Sequence, residues 1–257
     1  MADLFELADL GIVVAAGPDA GRFLQGQLSG DVLRLDIGAG QLTGLHNAQG
    51  RALALLRIWR VGASEYRALL PRELIESVLA ILRARVFRAQ VTLLDASDRW
   101  RVYGALQPPA SGAAALSVDA SGRCLLLADR ALAAAGERDA WRALDIAAGL
   151  PQVVGATSGQ FVAQMLNLDL LGGVAFDKGC YVGQEIIARS HYRGRIKRRM
   201  QRFAVPPGPL PQPGQHCALP DGTTALVVDA CAQSQQMLAV APIGAAGALP
   251  LPYSLPA

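Results

Sequence analysis

Residues 176–195 read FDKGCYVGQEIIARSHYRGR, and the reading of this stretch decides how the rest of the chain is understood. Cys180 stands between Gly179 and Gly183, with Lys178, one of only two lysines in the chain, just before it and arginines after it. Glycines on both sides let the backbone turn tightly, so the thiol is expected at a loop tip or a helix start. Lys178, Arg189 and a helix N-terminus near Gly183 would each favour the thiolate, which is the reactive form. The competing reading is a buried small hydrophobe, the commonest fate of a free cysteine.

Downstream, Arg189 to Arg202 carries seven Lys/Arg residues and His191. That density suits phosphates or an acidic ligand tail, and it equally suits a solvated strand pair. Few aromatic residues interleave with it, Tyr192 and Phe203 being the candidates. An RNA-binding module is therefore the weaker alternative, and direct nucleic-acid binding is not expected. Five prolines between Val205 and Gly214 exclude a helix or a central strand there and mark the entry to a small C-terminal β unit. Its clearest strands are TTALVVDA (223–230) and QMLAVAP (236–242).

Upstream, a strand at Gly11 to Ala15 leads into a helix over Ala20 to Gln27, with Asp19 as its N-cap. A turn of Asn, Gln and Gly precedes a long strand from Ala52 to Val61. Leu74, Val78, Ile81, Leu82 and Val86 recur at helical spacing after Pro71, and VTLLDAS (91–97) follows as a strand. Further strands are read at WRVYGAL (100–106) and RCLLLAD (123–129), then a helix near Asp139 to Ala148. The alternation with hairpins predicts an α+β fold.

Composition narrows the classes. Hydrophobic residues make up 52% and charged residues 18%, which fits a folded chain, and a net charge of +3 is too mild to argue for nucleic acid. The four cysteines (Cys124, Cys180, Cys217, Cys231) form no CxxC and have no histidine at ligand spacing, so reduced thiols and no metal site are expected. The acidic start is unlike a signal peptide and no apolar run has the length of a membrane span, so a cytoplasmic location is expected. GAGQLTG (38–44) misses dinucleotide-loop spacing by one residue, and GATSG (155–159) is not a nucleophile elbow.

Taken whole, SGQFVAQMLNLDLLGGVAFDKGCYVGQEIIARSHYRGRIKRR (158–199) closely resembles the signature region of YgfZ-type folate-binding proteins, paralogues of the glycine-cleavage T-protein. GPDAGRFLQGQLSGDV (17–32), HNAQGR (46–51) and LPLPYSL (249–255) agree in order and spacing. The resemblance implies a T-protein-like three-lobed ring around a central channel. Its parts would be two α+β lobes, 1–98 and 99–200, the second carrying KGCYVGQE, and a small C-terminal β-barrel, 201–257. It implies tetrahydrofolate or another reduced folate as ligand. It also implies iron–sulfur client or assembly proteins as partners, tRNA-modifying enzymes among the clients, in a monomeric protein with no membrane attachment.

By the same resemblance Cys180 is the key functional residue and Lys178 tunes its thiol. Trp141 falls at a folate-contacting tryptophan, and Gln164 replaces a glutamate that grips the pterin in T-proteins. Gln27, Asn47, Tyr181, Gln184, Glu185 and Arg189 complete the expected cofactor-binding set. One departure bears on activity: Ala54 and Leu55 stand where the T-protein has an acidic pair. Without that carboxylate the folate nitrogen cannot be oriented and protonated in the same way, so folate-dependent aminomethyl transfer is the alternative rather than the expectation.

Overall fold

Alternating apolar residues build the first sheet, in a computed structural model that describes residues 4–108, 115–118, 121–194 and 196–256. Its N-terminal elements are β1 (Leu4–Glu6), β2 (Leu10–Ala16), α1 (Ala20–Gln27), β3 (Gly40–His46), β4 (Ala52–Gly62), β5 (Glu65–Pro71), α2 (Ile75–Arg83) and β6 (Thr92–Asp95). Five of these strands form an antiparallel sheet in the order β3-β4-β5-β2-β6. Helix α2 buries Ile75, Val78, Leu79 and Leu82, one stripe at helical spacing, in a core that includes Val13, Ala15, Leu56 and the α1 residues Phe23 and Leu24. Asp19 holds the position before α1, yet its carboxylate accepts from the Gln90 amide (2.8 Å) instead of capping the helix.

The other face of this sheet is buried too. Ile12, Trp59 and Leu69 meet Val102, Leu116, Leu125 and Trp141 from the next unit, which consists of β7 (Arg101–Ala105), β8 (Ala115–Ser117), β9 (Cys124–Ala128) and α3 (Arg138–Ala147). The second sheet has the order β1-β7-β9-β8, so the chain's first strand, paired Leu4 to Ala105, completes a sheet that otherwise begins some hundred residues later. The stretch QPPASGAAA (107–115), which reads as a loop in the sequence, lies mostly outside the described residues.

The last elements are α4 (Gln184–Tyr192), β10 (Arg198–Ala204), β11 (His216–Ala218), β12 (Thr224–Cys231), β13 (Gln236–Pro242) and β14 (Ala248–Leu249). The strands form an antiparallel sheet in the order β11-β12-β13-β10-β14 around Phe203, Val227 and Met237. A closed barrel was expected. Among the described residues the edge strands β11 and β14 do not pair, and the unit is a five-stranded sheet. The fold is thus α+β with three antiparallel sheets, and none of its described helices is long and apolar enough to cross a membrane.

Candidate functional site

Sequence stretches far apart meet around Cys180. Ser29, between α1 and β3, donates its hydroxyl to the Gly173 carbonyl (2.7 Å) and accepts the Ala175 amide on its own carbonyl (2.9 Å). Lys178 follows: its ammonium donates to the carbonyls of Leu28 and Gly30, both at 2.7 Å. Burial pushes Lys178 down to about 8, with the Asp31 carboxylate opposing. These contacts go to backbone oxygens, not to the Cys180 thiol, so Lys178 clamps the loop to the first lobe. Arg34 adds a 2.8 Å ion pair that holds Asp177 below the usual carboxylate range. Beyond these clamps Cys180 is exposed, and Gly179 beside it faces open space.

Helix α4 begins where the sequence places it. Gly183 is left-handed (φ 84°), and a Cβ there would stand 2.5 Å from the Asn47 carbonyl oxygen. Asn47 shapes that turn, its side-chain oxygen accepting from the amides of Gln49 (3.0 Å) and Arg51 (2.9 Å). Gln164, fully buried, donates to the Ile187 carbonyl of α4 (2.7 Å), while its own side-chain oxygen has no hydrogen-bond partner among the described residues. Tyr181 is buried under the Lys178 ammonium, 5.1 Å from its ring centroid, and burial pushes its phenol up to about 12. The Gln184 amide donates to the Tyr181 carbonyl (3.2 Å), while Glu185 and Arg189 are exposed on the outer face of α4. Gln27, at the end of α1, accepts from Arg85 (3.1 Å). Asn47, Gln164, Lys178, Tyr181 and Gln184 therefore act together as the scaffold of the loop.

Trp141 lies elsewhere. It is 2% exposed, packed against Phe5 with ring centroids 5.6 Å apart, and its face carries the Arg123 guanidinium at 4.9 Å. Arg123 pairs with Asp145 at 3.0 Å and lines a cavity of about 770 Å³. The cavity walls come from β3 and β4 (Gln41, Leu42, Arg57), β8 (Leu116, Ser117), α3 and the residue that ends it (Leu144, Ala147, Ala148) and the C-terminal segment (Pro252, Tyr253). Its volume falls in the range that holds small organic ligands. The sequence reading singled out none of Gln41, Arg57, Arg123 or Tyr253 as site residues. Only Tyr253 had a signal, in the LPLPYSL stretch. Ala54 and Leu55 on β4 are buried in the apolar core and bring no carboxylate.

Gly30 joins cavity and loop. Its amide donates to the Thr43 hydroxyl (2.7 Å), its carbonyl accepts from Lys178, and a Cβ on it would stand 2.6 Å from the side-chain nitrogen of Gln41. The remaining thiols are less accessible: Cys124 and Cys231 are buried, Cys217 is half-buried, and burial pushes Cys124 and Cys217 up. No group of three or more potential metal ligands occurs among the described residues.

No family model matches the chain. The tRNA-modifying protein YgfZ of Klebsiella pneumoniae is 30% identical over 251 residues, covering 85% of this chain and 76% of that protein. The protein of the same name from Photorhabdus laumondii is 32% identical over 241 residues, covering 82% and 73%. An uncharacterized protein of Haemophilus influenzae is 33% identical over 211 residues, covering 80% and 74%. Among solved structures, the glycine cleavage system aminomethyltransferase T of Bartonella henselae aligns over 94% of this chain and 78% of its own, with a TM-score of 0.72 at 15% identity, a likeness of fold.

Proposed function

The chain belongs to the YgfZ family, and from that premise we propose that it binds a reduced folate and serves tRNA modification by assisting iron–sulfur enzymes through Cys180. The observation that carries the reading is the 770 Å³ cavity where the two α+β units and the C-terminal segment meet. A folate offers a flat heteroaromatic end and an acidic tail. Arg57 and Arg123, the latter held by Asp145, bring positive charge to the cavity wall, which suits an acidic tail, and Tyr253 adds an aromatic ring. Trp141 serves from behind: its buried ring supports Arg123, which itself lines the cavity. A pterin stacked directly on Trp141 would first have to uncover a ring that is 2% exposed.

Cys180, the one exposed cysteine among the described residues, is the group through which the folate site would act on a client protein. Gly30, whose carbonyl accepts from Lys178 and which packs beside the cavity residue Gln41, brings the cavity wall next to the loop that carries Cys180. Aminomethyl transfer is disfavoured, because Ala54 and Leu55, buried in the apolar core, supply no carboxylate where the T-protein has its acidic pair.

Calorimetric titration with tetrahydrofolate tests the ligand. The wild-type protein binds it, and Ala147→Phe, which extends a ring into the cavity from an exposed position, weakens binding at least about tenfold. No heat from the wild-type protein removes folate from the reading, and equal affinity of the variant removes this cavity. Cys180→Ser retains folate binding yet fails to restore an iron–sulfur tRNA-modifying enzyme in a strain lacking its own family member. Full rescue by the serine variant refutes the role of the thiol.

A further inference from the structure

Outside the cavity, the fold assembles an aromatic platform that the linear sequence does not display. Phe203, one of the two aromatic residues near the basic run, is buried in the C-terminal core. Phe176, from the loop before Cys180, instead folds back onto the end of α4 and stacks on His191, with ring centroids 3.8 Å apart and planes 18° from parallel. Tyr192 stands edge-on to both rings, at 5.9 Å from Phe176 and 4.8 Å from His191, and remains 68% exposed. The basic run divides in the same way. Arg199 is buried in a two-pronged pair with Asp169 (2.9 and 2.7 Å), and Arg198 donates to the Thr224 and Val240 carbonyls. Arg189, Arg193 and Lys197 face outward with no ion-pair partner among the described residues.

Arg189, Arg193 and Tyr192, with Ala188 and Glu185, line an open groove of about 430 Å³ on α4. We propose that this face of α4 binds single-stranded RNA, a base stacking on Tyr192 beside the Phe176–His191 pair while Arg189 and Arg193 take the flanking phosphates. An exposed ring between two guanidinium groups suits a single strand, since every base has a face to stack and every phosphate a charge. Glu185, the acid of the groove, is an acceptor for an exocyclic amino group on a base edge. An acidic peptide would use the two arginines but would leave the exposed ring without a role. The nine-residue helix spans about 13 Å, so the bound strand would run close to Cys180, which precedes it. The inference rests on α4 and is independent of folate binding in the cavity.

The test is fluorescence anisotropy of the full-length protein with a labelled oligoadenylate RNA of about 12 nucleotides at stepped salt. Tyr192→Ala is expected to weaken binding about tenfold with the salt slope unchanged, from the loss of one stacked base. Arg193→Ala is expected to lower the slope by about 1, and Phe176→Leu to weaken binding by disturbing the platform. Arg130→Ala, at an exposed arginine on another unit, should leave affinity unchanged. Absence of RNA binding by the wild-type protein overturns the proposal, as does an equal loss in the Arg130 variant, which would mean diffuse charge. Sensitivity to Arg193 without sensitivity to Tyr192, or equal competition by a glutamate-rich peptide of the same charge, overturns it in favour of an acidic protein partner. Tyr192 is exposed, so its variant should unfold at the wild-type denaturant midpoint, which separates lost binding from lost folding.

Discussion

Gly183 presses its Cα against the Asn47 carbonyl oxygen so closely that a Cβ would stand 2.5 Å away, 3.0 Å from the Cα of Gly50. Two segments well over a hundred residues apart thus share one tight junction, which sets where α4 begins and where the Cys180 loop ends.

Gly183→Ala should therefore cost at least about 2 kcal/mol, from the left-handed backbone and the overlap with a backbone atom that cannot rotate away. Gly179→Ala, where a Cβ meets nothing within 4 Å, should stay within about 0.5 kcal/mol of wild type. Urea midpoints compare the two, and equal effects would mean that the junction carries no stability.

Lys178 gives a prediction with a defined sign. Its folded value is pushed down to about 8 from 10.5 by burial. Between those pH values the unfolded chain holds a proton that the folded chain has released, so this group's contribution to stability rises with pH across the window. Below pH 8 the burial cost is present in full. Lys178→Met removes this rise and leaves the Leu28 and Gly30 carbonyls without their donor, at about 1–3 kcal/mol. Unfolding at about pH 7, below the window, and at about pH 9.5, inside it, provides the check. Equal slopes in both proteins would show that the lysine is not buried in this way.

Two other buried groups oppose each other in acid. Burial pushes Asp229 up to about 6, against Arg142, and pushes His46 down to about 4. From about pH 4 to 6 the folded chain holds an extra proton at Asp229 and lacks one at His46, so the first lowers stability as pH rises and the second raises it. Each is worth on the order of 3 kcal/mol by linkage. Asp229→Asn should unmask the histidine, so that stability climbs more steeply over this window than in wild type. Parallel denaturation profiles of the two proteins would place Asp229 in water.

Alkylation should order the thiols by exposure. Cys180 should react first, Cys217 later, and Cys124 and Cys231 last, the buried Cys231 thiol also donating to the Asp139 carbonyl at 3.4 Å. Iodoacetamide labelling at limiting time with peptide mapping reads the order. Labelling of Cys217 ahead of Cys180 would show the loop folded over its cysteine.

What the sequence by itself determined was local or borne by motif. The span of α1 and the existence of α2, α3 and β4 are legible locally, α2 from apolar residues at helical spacing and β4 from the Asn/Gln/Gly turn before it. Gly183 as the start of α4 and Cys180 at a loop followed from glycine's access to left-handed backbone. The family followed from the KGCYVGQE octet and its three companion stretches. Tertiary structure alone decided where those residues point. Nothing near Lys178 indicated that its ammonium would reach carbonyls 150 and 148 positions away, or that Trp141 would be sealed beneath Arg123. Nor could the spacing show that Leu4–Glu6 completes the second sheet, or that the C-terminal strands leave two edges unpaired among the described residues. Periodicity records which side of an element is buried. The partner it is buried against is chosen by the packing of the whole chain, at separations where sequence spacing carries no signal.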